Sequence, residues 1–212
     1  MFTEMDKEKV KELRYQLILG GSNIAKRELV TEYKCRNKTI QAILLNVKQW
    51  ISQGRSLYLH GSVGTGKTIS GVAILKQYAK KLSEESVFQE TPIFYISLPE
   101  FLNECKRDIS RVKDDLVTPL LISKLKNADI VFLDEISAIK DLSAYEKNTL
   151  SAYERSILFE IIDQRTREMQ ATIYASNSNP QSLKNALGDP LYSRVYTASD
   201  KIEMNGGDCR GV

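Results

Sequence analysis

Apolar and polar positions along this chain repeat with two different periods, and the switches between them lay out its elements. Val10, Leu13, Leu17 and Ile18 share one side of a weak helix over Phe2 to Leu19, which Gly20-Gly21 ends. Ala25, Leu29 and Tyr33, spaced by four, place a second short helix over Asn23 to Tyr33. Neither segment can bury a core of its own, so both either lie on the main body or await a partner. Ile40, Ile43, Leu44, Val47, Trp50 and Ile51 make a continuous stripe over Thr39 to Gln53, a core-facing helix with Gly54 as its stop. Arg55 to His60 is a short apolar run of strand type, and Ile69 to Leu82 returns to helical spacing at Ile69, Val72, Ala73, Tyr78, Ala79 and Leu82. Ser83 to Thr91 reads as polar loop and Ile93 to Ser97 as a buried strand. Ser97, Pro99 and Glu100 then open a helix, with Ser97 as cap, Pro99 in the first turn and Glu100 completing a capping box.

Further on, Ile130 to Leu133 is apolar without interruption, as in a strand covered on both faces. Leu142-Ser143-Ala144-Tyr145-Glu146 recurs as Leu150-Ser151-Ala152-Tyr153-Glu154, and both copies carry the S-x-x-E capping spacing. The second copy leads into an amphipathic helix through Ile157, Leu158, Ile161, Ile162 and Arg165 that ends near Met169, whereas the first reads as a surface insertion. Ala171 to Ala175 is another buried-type strand, closing on Ser176-Asn177; a short helix around Leu183 to Leu187 and a brief strand near Lys201 to Met204 follow. Strands that alternate with helices in this way predict an α/β fold, a parallel sheet between two layers of helices.

A chain of 212 residues, 42% of them hydrophobic, is long enough for one full core plus an extra segment. Cys35, Cys105 and Cys209 lie far apart with no C-x-x-C pair, which points away from a zinc module or a disulfide framework and toward a reducing compartment. The first ten residues lack an apolar leader segment, and no run approaches membrane-spanning length, so a cytoplasmic location is expected. A net charge of +3, from 30 basic and 27 acidic residues, is too small to indicate nucleic acid by itself.

Chemistry concentrates at the strand ends. Gly61-Ser62-Val63-Gly64-Thr65-Gly66-Lys67-Thr68 fills every fixed position of the phosphate-binding pattern G-x-x-x-x-G-K-[ST]. Its glycines let backbone N–H groups close on phosphate oxygens, Lys67 adds a cation for the terminal phosphates, and the Thr68 hydroxyl supplies a magnesium ligand. The strand before it and the helix after it meet the structural condition for such a loop. Asp134 and Glu135 follow the buried run of the third strand, where acids are costly unless used: Asp134 suits magnesium and Glu135 suits activation of an attacking water. Asn177 can hydrogen-bond a γ-phosphate or the lytic water, although a lone Asn is more often a turn residue. Arg194 and Arg210 are of the residue type that neutralises charge developing on a phosphoryl group, although from the residues alone surface arginines are the better reading. Lys106, Arg107, Arg111 and Lys113 form a candidate contact for single-stranded DNA, though Glu104, Asp108, Asp114 and Asp115 are interleaved with them. His60, the single histidine, reads as structural or incidental.

With GSVGTGKT, ADIVFLDE, ATIYASN, LYSRVY and a terminal GGDCRG in that order, together with Ile161-Ile162-Asp163-Gln164-Arg165, residues 38–212 resemble the AAA+ ATPase domain of the DnaC/DnaI-type replicative helicase loaders. The related IstB-type transposition helpers share this layout. The resemblance implies a P-loop NTPase of AAA+ type: a three-layer sandwich around a five-stranded parallel sheet of order 5-1-4-3-2. About 35 residues follow Asn177, too few for a full helical lid, so a reduced or absent C-terminal lid is expected. Residues 1–37 are then a short helical N-terminal extension and 38–212 the ATPase domain. By the same resemblance Asn177 is the sensor 1 residue, Arg194 an arginine finger reaching into a neighbouring subunit, and Arg210 a sensor 2 arginine. The chain departs from the loaders' frequent Asp-Asp in having Asp134-Glu135, and its N-terminal region lacks the cysteines of zinc-containing loader N-domains. ATP is favoured as the nucleotide, because no N-K-x-D guanine-reading motif is present. The implied function is hydrolysis of ATP with Mg2+ by a homo-oligomer that loads a replicative DNA helicase onto single-stranded DNA. Alternatives are an IstB-type helper of a transposase on duplex DNA, a P-loop kinase, and a nucleotide-gated interaction module with negligible turnover.

Overall fold

The computed structural model describes residues 4–25, 37–85, 92–110, 117–137 and 150–205. The helix expected over Asn23 to Tyr33 falls almost wholly outside these residues, as do the first copy of the repeat, Cys35, Cys209, Arg111, Lys113 and Arg210.

Helix α1 (Glu4–Gly20) is followed by α2 (Lys38–Leu45), α3 (Val47–Ser52), strand β1 (Ser56–His60) and α4 (Lys67–Glu84). Next come β2 (Ile93–Ser97), α5 (Leu98–Ser110), α6 (Val117–Asn127), β3 (Ile130–Asp134), α7 (Ala152–Arg167) and β4 (Ala171–Ser176). Then α8 (Pro180–Leu187), α9 (Asp189–Tyr192), a π-helical turn (Ser193–Thr197) and β5 (Asp200–Glu203) complete the described elements. All strand pairs are parallel and the order is β2-β3-β4-β1-β5, the expected 5-1-4-3-2 read from the other edge.

Strand periodicity sorts the core into two layers. Leu57, Leu59, Ile130, Phe132, Ile173 and Ile202 face one side, where they meet buried side chains of α1 to α4. Tyr58, Phe94, Ile96, Val131, Leu133 and Tyr174 face the other, against α5 to α9 and the π turn. Alternate residues of each strand point to opposite faces, and here both faces are covered, so β3 and β4 are buried at every position. α1 belongs to the first layer: Leu19 and Ile24 are buried in it, with Tyr15 and Ile18 packed against its edge. The segment after α1 also covers the open edge of β2, where the Tyr95 N–H donates to Ser22 O (2.8 Å) and Asn23 Nδ2 donates to Tyr95 O (3.0 Å).

Three differences from the sequence expectation have physical causes. The stripe from Ile40 to Ile51 is carried by two helices, because Asn46 leaves helical geometry (φ −124°, ψ 37°) between them. α6 had no counterpart in the expected elements; its Leu121, Ile122 and Leu125 face the core, but Pro119 in its first turn and its short length hide the period. At the start of α5, Ser97 Oγ accepts from the Glu100 N–H (3.3 Å) as expected, while the Glu100 carboxylate accepts from Asn23 Nδ2 (3.4 Å). The second repeat copy forms a full capping box: Ser151 Oγ accepts from the Glu154 N–H and Glu154 Oε2 from the Ser151 N–H.

At the amino ends of the strands sits Arg165, 1% exposed and at the base of α7. Its guanidinium donates to Leu125 O, Ala128 O, Ala171 O and Thr172 Oγ1 at 2.6–3.0 Å, tying α6, β4 and the approach to β3 together. Burial pulls it down to about 10, so it remains charged at neutral pH.

Candidate functional site

The site lies at the opposite end, where the carboxyl ends of β1, β4 and β3 stand side by side. β1 delivers the chain into Gly61, whose φ is 145° and where a Cβ would fall 2.4 Å from Met204 O, so only glycine allows this close approach to the strand end. The loop turns through Gly64 and Gly66 at φ 83° and 89°, and α4 begins at Lys67. Its first N–H groups and the positive end of its dipole therefore face the loop, the arrangement that attracts phosphate.

Lys67 is buried (7% exposed) and its Nζ donates to Gly61 O (2.8 Å) and Ser62 O (2.6 Å), which centres the ammonium inside the loop. Thr65 Oγ1 donates to Ser62 O (2.8 Å), closing the turn. The Thr68 hydroxyl donates to Asp134 Oδ2 (2.7 Å), bringing the first turn of α4 against the end of β3. Gly71, one turn on, makes this reach feasible: a Cβ there would lie 2.4 Å from Phe132 Cε1, so α4 lies closer to β3 than a larger residue would permit.

Asp134 is 4% exposed and is held by Thr68, by the Glu135 N–H onto Oδ1 (2.8 Å) and by Tyr95 Oη (3.4 Å). Burial pushes its carboxyl above the ordinary value, while the hydrogen bonds and the Lys67 charge offset part of that rise. A buried carboxylate beside a hydroxyl is a hard-oxygen donor pair, so Thr68 and Asp134 fit the magnesium role expected of them. Glu135 is exposed, and its backbone takes the left-handed φ of 51°. Immediately after it, the Ile136 N–H donates to Ala175 O (2.9 Å) and Ser137 Oγ bonds Ser176 Oγ (2.6 Å).

Since β4 pairs with β1 on one side and β3 on the other, its end lies between the phosphate loop and the two acids. Asn177 is the first residue beyond it and is exposed; Ser176 before it is buried. The structure thus brings together the loop, Asp134, Glu135 and the end of β4 that carries Asn177. Arg194 stands apart, on the π turn, where Nε donates to Asp163 Oδ1 (2.8 Å), Nη1 donates to Pro190 O (3.3 Å) and the guanidinium lies 4.4 Å from the centroid of the Phe159 ring. That hydrogen bond and charge hold the Asp163 carboxyl below its ordinary value. His60 stacks on Tyr58 at 5.8 Å between ring centroids. Of the basic cluster, Lys106 pairs with Glu154 (3.2 Å) and Arg107 with Glu104 (2.7 Å).

Sequence reasoning did not single out Ser137, Ser176 or Tyr95. Hydroxyls inside apolar strands and loops carry no spacing signature; only the position of Ser176 directly before Asn177 marked it.

Residues 57–197 match the family described as ATPase family associated with various cellular activities (AAA). The replicative helicase loader DnaC of Buchnera aphidicola subsp. Schizaphis graminum is 23% identical over 194 residues, covering 87% of this chain and 71% of that protein. The replicative helicase loader DnaI of Bacillus subtilis is 25% identical over 132 residues, covering 62% of this chain and 36% of that protein. Among solved structures, that of DnaI superposes with a TM-score of 0.64 at 20% identity, covering 93% of this chain and 99% of that one. The structure of the DnaC helicase loader gives 0.62 at 20% identity, covering 85% and 100%.

Proposed function

Because the chain belongs to the AAA family of ATPases, with relatives and fold of the DnaC/DnaI type, we propose that it binds ATP with Mg2+, hydrolyses it, and loads a replicative hexameric helicase onto single-stranded DNA. The observation that carries this reading is the junction of Lys67, Thr68 and Asp134, in which a cation buried in a glycine loop stands one residue from a 2.7 Å hydroxyl–carboxylate pair. The match to two helicase loaders gives the reaction its biological context.

In this reading the loop N–H groups and the start of α4 bind the phosphates, and Lys67 exchanges its carbonyl partners for β- and γ-phosphate oxygens. Thr68 and Asp134 hold Mg2+, which when bound neutralises charge on the β- and γ-phosphates. Glu135 accepts a proton from the water whose oxygen attacks the γ-phosphorus; the bond to the β–γ bridging oxygen breaks, and ADP and phosphate leave. Asn177 orients that water or the γ-phosphate. Arg194 serves a neighbouring subunit's site, where it has to leave or extend from Asp163 and Phe159. Residues 1–37 form an extension to an ATPase domain of residues 38–212, and the protein works in the cytoplasm. Arg210 as sensor 2 and a DNA contact through Lys106, Arg107, Arg111 and Lys113 complete the proposal; of these, Lys106 and Arg107 are exposed side chains paired with Glu154 and Glu104.

The test is ATP-dependent affinity capture from the native cell with the full chain as bait. Recovery of a hexameric replicative helicase with ATP, and its loss with Lys67→Ala, is the expected result. Recovery of a transposase in its place identifies the transposition-helper alternative and overturns the helicase reading.

A further inference from the structure

The carboxylate assigned to water activation stands on an unfavourable backbone. Left-handed geometry is unfavourable for a side-chain-bearing residue, and Glu135 adopts it with φ 51°. Such a conformation persists only where the surroundings fix it. Two contacts to the end of β4 do so here: the Ile136 N–H on Ala175 O at 2.9 Å, and the Ser137 hydroxyl on the Ser176 hydroxyl at 2.6 Å. Ser176 Oγ also accepts the Ser178 N–H at 3.0 Å. One buried oxygen therefore binds the residue two after Glu135 and the residue directly after Asn177.

We propose that the Ser137–Ser176 hydroxyl pair is a positioning device that fixes the Glu135 carboxylate relative to the Asn177 side chain, so that both address the same water. The inference rests on the reading that Glu135 and Asn177 serve ATP hydrolysis. Neither serine belongs to the phosphate loop, so nucleotide affinity is insulated from the pair while turnover is not. Ser176 is 1% exposed, which denies its hydroxyl water as a substitute partner, so its rotamer is set by protein partners, the Ser137 hydroxyl and the Ser178 N–H among them. The Tyr58 hydroxyl, buried on the same face, interacts with Ser176 and is pushed up by burial to about 12, so it stays protonated and this cluster of hydroxyls carries no charge near neutral pH.

The experiment measures kcat, KM and separately titrated ATP affinity for the full chain with helicase and single-stranded DNA present. It compares the parent, Ser137→Ala, Ser176→Ala, the double variant, Ser176→Thr and Glu135→Gln. Each single alanine variant is expected to lower kcat by about 10- to 100-fold, the loss that a misplacement on the order of an ångström brings, with ATP affinity within about twofold of the parent. The double variant is expected to be no slower than the slower single one, because both remove the same bond. Ser176→Thr, which keeps the hydroxyl, restores most of the turnover. Unchanged kcat in Ser176→Ala, losses that multiply in the double variant, or ATP affinity that falls in step with kcat each overturn the proposal. A parent without turnover under these conditions removes the hydrolysis reading and this inference together. A parent that turns over, loses turnover in Glu135→Gln and is matched by Ser176→Ala removes the inference alone.

Discussion

Two acids adjoin in sequence, yet the fold gives them opposite surroundings. Asp134 is buried against Thr68 and Tyr95, whereas Glu135 turns outward on a left-handed backbone. Their substitutions should therefore separate. Glu135→Gln keeps the shape and loses the base, so ATP titrations should match the parent while phosphate release falls by about 10²–10⁴-fold, the usual worth of a positioned base. Asp134→Asn should act on stability as well. Burial raises the Asp134 carboxyl in the folded state above its unfolded value, so the folded chain binds that proton more tightly, and its stability declines as pH rises through the folded value. The ionised form is then a burden at neutral pH without nucleotide. Thermal unfolding in chelator should show Asp134→Asn melting above the parent at neutral pH, with the gap narrowing in mild acid; a variant that melts lower at neutral pH contradicts this. The identity of these residues was legible because the loop pattern and the buried run before Asp134 are both local. Their difference was not, since left-handed backbone at Glu135 and the Ser137–Ser176 bond arise from the meeting of two strand ends 39 residues apart.

At the scale of elements, periodicity found all five strands and most helices but hid what breaks or supports them. The apolar stripe passes through Asn46 undisturbed, so the sequence pattern shows one helix where backbone competition by an asparagine makes two. Arg165 looked like the polar end of an amphipathic helix. Its burial follows from three carbonyls, contributed by α6, the turn before β3 and β4, that converge on it. Arg165→Met should strip these oxygens of the donors that Arg165 supplies, while the Thr172 hydroxyl keeps its bond to Gln170 O (3.3 Å). At about 1–3 kcal/mol for each buried group left unpaired, a loss of more than about 3 kcal/mol is expected. That corresponds to a fall of about 6–12 °C in the unfolding midpoint for a domain of this size. Arg165→Lys should recover little, because an ammonium lacks the planar fan of donors. A midpoint within about 2 °C of the parent for Arg165→Met would show that water or rearranged backbone satisfies those groups instead.

The molecule as a whole gathers its phosphate loop, acids and Asn177 at one end of the sheet and leaves Arg194 outside that group, on the π turn against α7. The proposed function has a second copy complete the site through this arginine. Arg194→Ala should then bind ATP as the parent does and hydrolyse it about 10³–10⁵-fold more slowly under assembling conditions. Mixed with Lys67→Ala, it should regain part of the turnover, because some interfaces pair an intact loop with an intact arginine. Parent-rate hydrolysis by Arg194→Ala, or no recovery on mixing, would remove the shared site. Strand order was legible at this scale through the family resemblance, whereas periodicity alone established only alternation of strands and helices. The most direct test of the account is transfer of the replicative helicase of the same cell onto single-stranded DNA, followed by strand unwinding with purified components. The parent with ATP and Mg2+ should load the helicase, Lys67→Ala should not, and chelation of Mg2+ during the loading step should abolish loading by the parent. Loading that proceeds equally with the parent, with Lys67→Ala and with no added protein would contradict an ATP-driven loader.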